Sequence, residues 1–442
     1  MTAIDVHASL AGLEGLQEED RGLSTLARAL QGSEILKIAY AVRALASEGH
    51  DVLNLTVGDF NSSAFPIPSK LRDGITTALA DGHSNYPPAS GVLECRQAIR
   101  DLIERRLGLN YPVDAVLVVN GARPAICGAY LALLDEGEKV VFGVPSWNNH
   151  YYCTMVGAQS VAVPTRAEHN FFPRVEDIEP HLADTRLLCL NSPLNPTGTV
   201  IDPDELARIG RMVLDENRRR QDTGQRPLYV LFDQVYWLLV FGDARHSTPV
   251  HVNPELAKYT IIADAISKGF AATGLRVGWA VGPQDVLRKM GALLTHTGAW
   301  APRAEQVATA ALLNDDTAID TYLAGMKEEV VVRLRMLEQA VQSVAELGWP
   351  AKAIAPQGAI YLSIRLDLKG ATRADGRVIE SDEDTRQFLL EEAGVALLPF
   401  RCFGLEDADA WFRASVGAVT RQECATVRDR MHRALATLRR PG

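Results

Sequence analysis

The sequence predicts an α/β protein, with a three-layer αβα large domain around a mainly parallel sheet and a smaller α+β domain. Five short apolar runs, each bounded by Gly, Pro, Asn or Asp, are the strand candidates: Ala115–Val119, Lys139–Phe142, Leu187–Leu190, Tyr229–Phe232 and Thr260–Ala263. These runs are continuous rather than alternating, which is typical of parallel strands covered by helices on both faces. Helical stretches separate the runs, and the pattern changes after about residue 320.

The chain begins with a polar, mixed segment, and we expect residues 1–32 to form an arm. A helix is predicted from Ser33, which suits an N-cap. Its apolar residues share one face: Ile35, Ile38, Val42 and Leu45. A short strand over 51–55 then leads into the loop at 58–60.

The order of helical, apolar and polar stretches in the last quarter of the chain predicts a second domain. Its elements are a helix, a strand, a polar surface loop and two final apolar runs: Met326–Val344, Gly358–Leu362, Gly370–Asp384, Phe388–Pro399 and Trp411–Val416. We therefore predict a small domain from residues 33–60 and 325–442, and a large domain from residues 61–324.

Composition places the chain among reduced globular proteins. A length of 442 residues allows two domains, and a net charge of −10 argues against a nucleic-acid partner. The six cysteines show neither a metal-binding nor a disulfide spacing, so no metal site is predicted. No apolar segment is long enough for a membrane span, and no secretory signal is evident at the N-terminus. These features predict a cytoplasmic protein without a membrane partner.

Residues with chemical potential recur after the predicted strands. Gly121, Trp147, Asn195, Asp233 and Lys268 each follow a different run. In parallel sheets, ligands bind beyond the carboxyl ends of the strands. This repeated placement predicts a single site at that edge.

Lys268 and Arg276 suggest what this site holds. A lysine amine can bind an aldehyde as a Schiff base, and a guanidinium can grip a phosphate. The run Asn120–Pro124 opens a helix with small residues, where backbone amides can approach a phosphate, although most such turns bind nothing. Trp147 can stack on a ring, but a buried core tryptophan is an equal alternative.

Asp233 ends an apolar strand, where an unpaired carboxylate would be costly to bury. Its position suits a partner for a protonated pyridine nitrogen. Tyr236 and Asn195 can both donate to a phenolic oxygen on such a ring. Donors at that oxygen would lower the pKa of the lysine's imine.

Three motifs together carry a resemblance to a known family. They are the run Ser192-Pro-Leu-Asn-Pro-Thr-Gly198, the pair Asp233 and Tyr236, and Ser267-Lys268 followed by Arg276-Val-Gly278. In order and approximate spacing, the chain resembles the fold-type I, class I aminotransferases that use pyridoxal 5′-phosphate, in particular bacterial aspartate aminotransferases. The resemblance covers roughly residues 33 to 435.

The resemblance implies a ping-pong transfer of an amino group between an L-amino acid and a 2-oxo acid. Lys268 would hold the cofactor as an internal aldimine and move a proton between substrate and cofactor. Arg276 and Ser267 would bind the phosphate, together with the amides of Ala122 and Arg123.

Other positions match the family's substrate and subunit contacts. Tyr86 matches a tyrosine that reaches the neighbouring subunit's phosphate, which implies a homodimer with shared sites. Arg413 matches the clamp for the substrate's α-carboxylate, and Gly58 lies in the loop beside it. His150 matches a histidine that supports the pyridine-binding aspartate from behind, although a lone histidine is more often surface or core.

Three positions bear on the substrate. Ala265 replaces a common phosphate-binding serine, and the loop Gly58–Asn61 differs from the usual family sequence. Arg123 aligns with a lysine that meets the distal carboxylate of dicarboxylic substrates. It would then favour glutamate and 2-oxoglutarate, or aspartate, as a partner. The alternative is that Arg123 only orders the phosphate loop or pairs with a surface acid.

Two other functions compete with transamination. The same fold supports lyases that eliminate a β- or γ-substituent. A cofactor-binding regulator is a further alternative, but the N-terminal arm is too short and too acidic for a DNA-binding module.

Overall fold

The computed structural model describes residues 22–30, 32 and 34–440. The predicted N-cap Ser33 and most of the predicted arm lie outside these residues. In the described part of the arm, Ser24 caps a short helix, and its side chain accepts a hydrogen bond from the Ala27 backbone N–H. Within the described ranges, no helix is long and apolar enough to cross a membrane.

Strands and α-helices alternate between residues 116 and 281. The strands are β1 (Leu53–Asn54), β2 (Val116–Val119), β3 (Lys139–Val144), β4 (Gln159–Pro164), β5 (Thr185–Asn191), β6 (Tyr229–Asp233), β7 (Thr260–Ala265), β8 (Gly278–Val281), β9 (Ala351–Ala353), β10 (Tyr361–Leu366), β11 (Val395–Ala396), β12 (Leu398–Pro399) and β13 (Trp411–Ser415). The α-helices are α1 (Thr25–Ala29), α2 (Glu34–Ser47), α3 (Ser69–Ala80), α4 (Leu93–Leu107), α5 (Ala122–Leu133), α6 (Asn149–Val156), α7 (Val175–Ile178), α8 (Pro203–Asp222), α9 (Pro249–Val252), α10 (Ile266–Gly269), α11 (Gln284–His296), α12 (Arg303–Leu313), α13 (Asp316–Glu346), α14 (Asp382–Phe388) and α15 (Arg421–Leu435).

The central sheet has the strand order β2-β8-β7-β6-β5-β3-β4. Strand β8 is antiparallel to both neighbours, and the remaining pairs are parallel. The mainly parallel sheet is therefore confirmed, and all five predicted runs are strands in it. The sequence pattern missed β4 and β8. Strand β4 is a largely exposed edge strand, and β8 begins with a glycine, a residue depleted in strands.

Helices cover both faces of this sheet. Along β2, Val116 and Val118 pack into an apolar cluster with residues of α4 and α12. The alternate residues Leu117 and Val119 pack on the other face with residues of α5 and α11. Successive side chains of a strand point to opposite faces, so a strand buried on both sides must be apolar throughout. This confirms the three-layer arrangement.

The smaller unit is built on an antiparallel sheet with the order β12-β13-β10-β9. Its apolar cluster contains residues of α13, α15 and this sheet. Helix α13 spans both parts: Ile319 and Leu323 pack with the large-domain cluster, whereas Met326 onward packs with the small one. This change of partner falls near residue 325, where we place the boundary. The division itself stays a prediction.

One predicted element needs a correction. The predicted loop from Gly370 to Asp384 ends inside α14, because Ser381 caps that helix and accepts a hydrogen bond from the Asp384 backbone N–H at 3.1 Å. The side chain of Asp384 accepts in return from the Ser381 backbone N–H at 2.9 Å. These reciprocal hydrogen bonds form a capping box, a motif that marks the N-terminus of a helix.

Candidate active site

A cavity of about 450 Å³ opens beyond the carboxyl ends of the parallel strands. Most of the predicted site residues line it: Gly58, Ala122, Arg123, Trp147, Asn195, Asp233, Tyr236, Ser267, Lys268, Arg276 and Arg413. Residues more than 350 positions apart in the sequence therefore face one space.

Lys268 lies on α10, directly after β7. Its Nζ donates a hydrogen bond to the Gly58 carbonyl at 2.5 Å and lies 5.8 Å from the ring centroids of Phe60 and Tyr236. Burial lowers the pKa of Lys268 to about 8, and nearby guanidinium groups act in the same direction. A neutral amine is the form that attacks an aldehyde, so this environment activates the lysine.

This lowered pKa predicts how cofactor capture depends on pH. With a pKa of about 8, roughly a tenth of the amine is neutral at pH 7, whereas the ordinary value of 10.5 would leave fewer than about one in a thousand. We expect the rate at which cofactor-free protein captures pyridoxal phosphate to rise between pH 6 and 9, with a midpoint near 8. Stopped-flow absorbance measures this rate, and a midpoint near 10 would contradict the expectation.

Asp233 stands at the end of β6, where its Oδ1 accepts a hydrogen bond from the Val235 backbone N–H at 3.0 Å. Burial raises the pKa of Asp233 to about 6, and the charge of Lys268 opposes this rise.

Sequence reasoning gave no role to Asn191, although this residue directly precedes the Ser192-Pro193 motif. Its Nδ2 donates to the Asp233 carbonyl at 2.8 Å, and its Oδ1 accepts from the Asn195 backbone N–H at 2.9 Å.

Arg276 is held in a left-handed backbone conformation, with φ of 57°. Its guanidinium donates to the carbonyls of Thr273 at 2.6 Å and Asn120 at 3.1 Å. Gly121 has a φ of 83°, and a Cβ there would also lie 2.1 Å from Arg276 Nη2, so this position favours glycine. The guanidinium is thereby fixed at the start of α5, where free backbone amides favour an anion. The arrangement suits a phosphate.

Arg413 on β13 is 1% exposed, and its guanidinium contacts two aromatic rings, 4.6 Å from the Tyr361 centroid and 4.9 Å from the Phe403 centroid. It donates to Asn195 Oδ1 at 2.9 Å and to the Thr56 carbonyl at 2.5 Å. Its buried Nε has no hydrogen-bond partner among the described residues. A buried donor without a partner is costly, so the site suits a carboxylate ligand.

Arg123 lies in the first turn of α5, with its guanidinium carbon 5.1 Å from the centroid of Trp147. In the described part of the chain, no carboxylate lies within ion-pair distance of it. The alternative that Arg123 pairs with a surface acid therefore finds no support. A ligand anion and the phosphate loop remain as its partners.

Two predicted residues lie outside the cavity lining. Tyr86 is 81% exposed, and its ring contacts Trp300 at a centroid distance of 5.2 Å. His150 is exposed on the first turn of α6, its ring 3.9 Å from that of Tyr151. The structure gives it no contact with Asp233, so its supporting role stays a prediction.

Several lining residues were missed by sequence reasoning. Helix α2 contributes Ile35, Ala39, Tyr40 and Arg43, and β10 contributes Tyr361. The apolar face of α2 was recognised, but nothing in its spacing indicates that it borders a site. A tyrosine inside a predicted strand, such as Tyr361, is normally interpreted as core.

Comparison with known proteins agrees with this geometry. The family model for "Aminotransferase class I and II" matches residues 50–431. A probable aspartate/prephenate aminotransferase of Rhizobium leguminosarum is 29% identical over 379 residues, covering 84% of this chain and 89% of the relative. A bifunctional aspartate aminotransferase and glutamate/aspartate-prephenate aminotransferase of Petunia hybrida is 30% identical over 427 residues. The match covers 96% of this chain and 85% of the relative.

Solved structures give the same result. The aspartate aminotransferase of Rhizobium meliloti has a TM-score of 0.84 at 25% identity and covers 95% of this chain and all of its own. The Thermus thermophilus aspartate aminotransferase with maleate has a TM-score of 0.82 at 26% identity, covering 94% and 100%.

The fold and the lysine-centred cavity define a fold-type I enzyme. The chain belongs to the class I and II aminotransferases. It is a pyridoxal-phosphate-dependent aminotransferase that moves an amino group between an amino acid and a 2-oxo acid, and the comparisons do not favour the lyase alternative.

Proposed function

We propose that this aminotransferase acts on dicarboxylic substrates, with aspartate or the pair of glutamate and 2-oxoglutarate as one partner. The observation that carries this proposal is the guanidinium of Arg123, which lines the cavity without a carboxylate partner among the described residues. The Arg413 guanidinium lines the same cavity. Two cationic groups suit a ligand with two carboxylates.

The relatives support this substrate class. Aspartate and prephenate, the substrates in their names, both carry a second carboxylate. Maleate, present in the Thermus thermophilus structure, is also a dicarboxylate.

We assign the remaining roles by position in the cavity. Pyridoxal phosphate supplies an electron-withdrawing ring, and the chain's own groups hold and orient it. Asp233 would hold the pyridine nitrogen, Tyr236 and Asn195 would donate to the phenolic oxygen, and Trp147 would stack on the ring. The phosphate is held by side chains and amides of two segments: Ser267, Arg276, Ala122 and Arg123.

Lys268 would hold the cofactor through its amine, and the freed amine would then carry the proton that leaves the substrate Cα. Arg413 binds the α-carboxylate beside Gly58, which fixes the Cα near the lysine. Orientation of this kind supplies much of an enzyme's rate advantage.

A half-reaction screen tests the substrate class. The holoenzyme is mixed with single amino acids, and cofactor absorbance reports amine transfer without a second substrate. We expect aspartate or glutamate to react at far lower concentrations than the isosteric amides asparagine and glutamine. Equal use of acids and amides would contradict the proposal.

Arg123→Gln provides the matched variant. Removing one charge-assisted contact is expected to raise the KM for the dicarboxylic substrate about 10- to 100-fold, with little change for the amide. If Arg123 only orders the phosphate loop, the variant will instead lose cofactor without changing this preference. Arg123→Lys, which keeps the charge, should retain part of the preference.

We also propose a homodimer in which Tyr86 reaches the partner's phosphate. Its support is a tyrosine 81% exposed, although tyrosine rings normally bury much of their surface. Sedimentation at micromolar concentration should give twice the mass of the 48.2 kDa chain. A monomer at full activity would refute the shared site.

The domain division and the compartment complete the proposal. The change of packing partner along α13 supports a small domain of residues 33–60 and 325–442 and a large domain of residues 61–324. All six cysteines are free thiols, which supports a reducing, cytoplasmic location.

A further inference from the structure

Tyr361 lines the cavity beside residues that we assign to the cofactor and to the substrate. It is 1% exposed, on β10, and its hydroxyl is 2.6 Å from the hydroxyl of Tyr236. Its ring lies against the guanidinium of Arg413 at 4.6 Å. A Cβ on Gly58 would lie 2.6 Å from its Oη. One side chain thus contacts three parts of the site.

The hydroxyls of Tyr236 and Tyr361 carry two protons, of which their mutual hydrogen bond uses one. Burial raises the pKa of both tyrosines, so both hydroxyls keep their protons at neutral pH. Two hydroxyls that share one hydrogen bond use one proton and leave the second free for another acceptor. Among the described residues, each hydroxyl has only the other as its partner. The free proton is therefore available to a bound ligand.

We propose that Tyr361 is a positioning residue that donates its hydroxyl proton to Tyr236, and thereby directs the Tyr236 proton to the phenolic oxygen of the cofactor. This inference rests on the proposed role of Tyr236. A hydroxyl that accepts a hydrogen bond is a stronger donor, so the chain from Tyr361 to Tyr236 reinforces the contact with the cofactor.

Gly58 indicates that the loop accommodates the Tyr361 hydroxyl. Its φ is not in the left-handed region, so backbone conformation alone does not demand glycine. The close atom is Tyr361 Oη at 2.6 Å, whereas the ring carbons Cζ and Cε1 lie at 3.6 and 3.7 Å, in ordinary contact. Tyr361→Phe should therefore remove the obstacle to a side chain at this position.

The test uses the pH titration of cofactor absorbance in the holoenzyme. Tyr236→Phe should raise the titration midpoint, because a donor to the phenolic oxygen lowers it. Tyr361→Phe should raise it in the same direction but less, by about 0.3 to 1 pH unit. The double variant should shift no further than Tyr236→Phe alone, because Tyr361 acts through Tyr236. Tyr361→Phe should leave the KM for the amino acid within about twofold, since its ring still supports Arg413.

Tyr322→Phe is the control for loss of a tyrosine hydrogen bond elsewhere. Its hydroxyl donates to the Pro66 carbonyl at 3.0 Å, and Tyr322 does not line the cavity. Tyr322→Phe should lower the thermal unfolding temperature without moving the midpoint of the cofactor titration.

A second control pairs Gly58→Ala with Tyr361→Phe. Gly58→Ala as a single variant should impair cofactor binding, and the double variant should bind the cofactor normally again.

The outcomes separate this inference from the proposed function. If Tyr236→Phe leaves the midpoint unchanged, the proposed role of Tyr236 fails, and the inference fails with it. If Tyr236→Phe shifts the midpoint but Tyr361→Phe does not, or if the two shifts add, only the inference is overturned.

Discussion

Lys268→Ala is expected to lower turnover by more than about 10⁴-fold, because it removes both the amine that holds the aldehyde and the base that moves the proton. The variant should still bind pyridoxal phosphate, but reversibly, through the contacts to phosphate and ring. Turnover with a dicarboxylic amino acid and cofactor loss on gel filtration measure the two effects.

Two further variants sharpen this result. Lys268→Arg keeps the positive charge but not a nucleophilic amine, so it should be equally inactive. Lys327→Ala removes another lysine whose pKa is lowered by burial, outside the cavity, and should retain turnover. Normal activity in Lys268→Ala would refute the assignment of the site.

Asp233→Asn is the second large expected effect. The amide keeps the shape of the carboxylate and its hydrogen bond from Val235, but it cannot stabilise a proton on the pyridine nitrogen. We expect kcat to fall about 10²- to 10³-fold, the range for loss of one well-placed electrostatic partner. Steady-state kinetics at saturating cofactor measure this effect.

Asp264→Asn is a matched comparison for Asp233→Asn. Asp264 is a buried carboxylate on the neighbouring strand β7, and it accepts a hydrogen bond from Trp237 Nε1 at 2.7 Å outside the cavity lining. Both variants replace a carboxyl group whose pKa is raised by burial with an isosteric amide, so the two disturb the interior in a comparable way, and only Asp233→Asn is expected to lower kcat. A similar loss of kcat in the two would show that Asp233 acts through stability rather than at the cofactor.

Much of the site was predictable because its motifs are local in the chain. Lys268 and Arg276 are separated by eight residues, and Asp233 and Tyr236 by three. Each pair lies at the end of a strand that the apolar pattern also predicts. Parallel strands bring such ends to one edge, so the sequence predicts a shared site without any contact information.

Other features depend on long-range contacts that no local pattern contains. Tyr361 meets Tyr236 across 125 positions of sequence, and Arg413 meets Thr56 across 357. Tyr361 lies in an apolar strand, where an aromatic side chain is normally interpreted as core. Arg413 was predicted only through the resemblance to the family, because nothing in its own strand indicates a ligand. The antiparallel strand β8 was missed for a local reason, because it begins with Gly278 and glycine is depleted in strands.

By itself, the sequence predicted the fold class, the cofactor and a candidate reactive lysine, because apolar strand runs and short motifs are properties of neighbouring residues. The tertiary structure alone decided what surrounds that lysine. It buried the lysine and placed guanidinium groups near it, and together these lower the pKa of Lys268 to about 8. It also left Arg123 without a carboxylate partner among the described residues, because burial and charge depend on distances in space rather than along the chain.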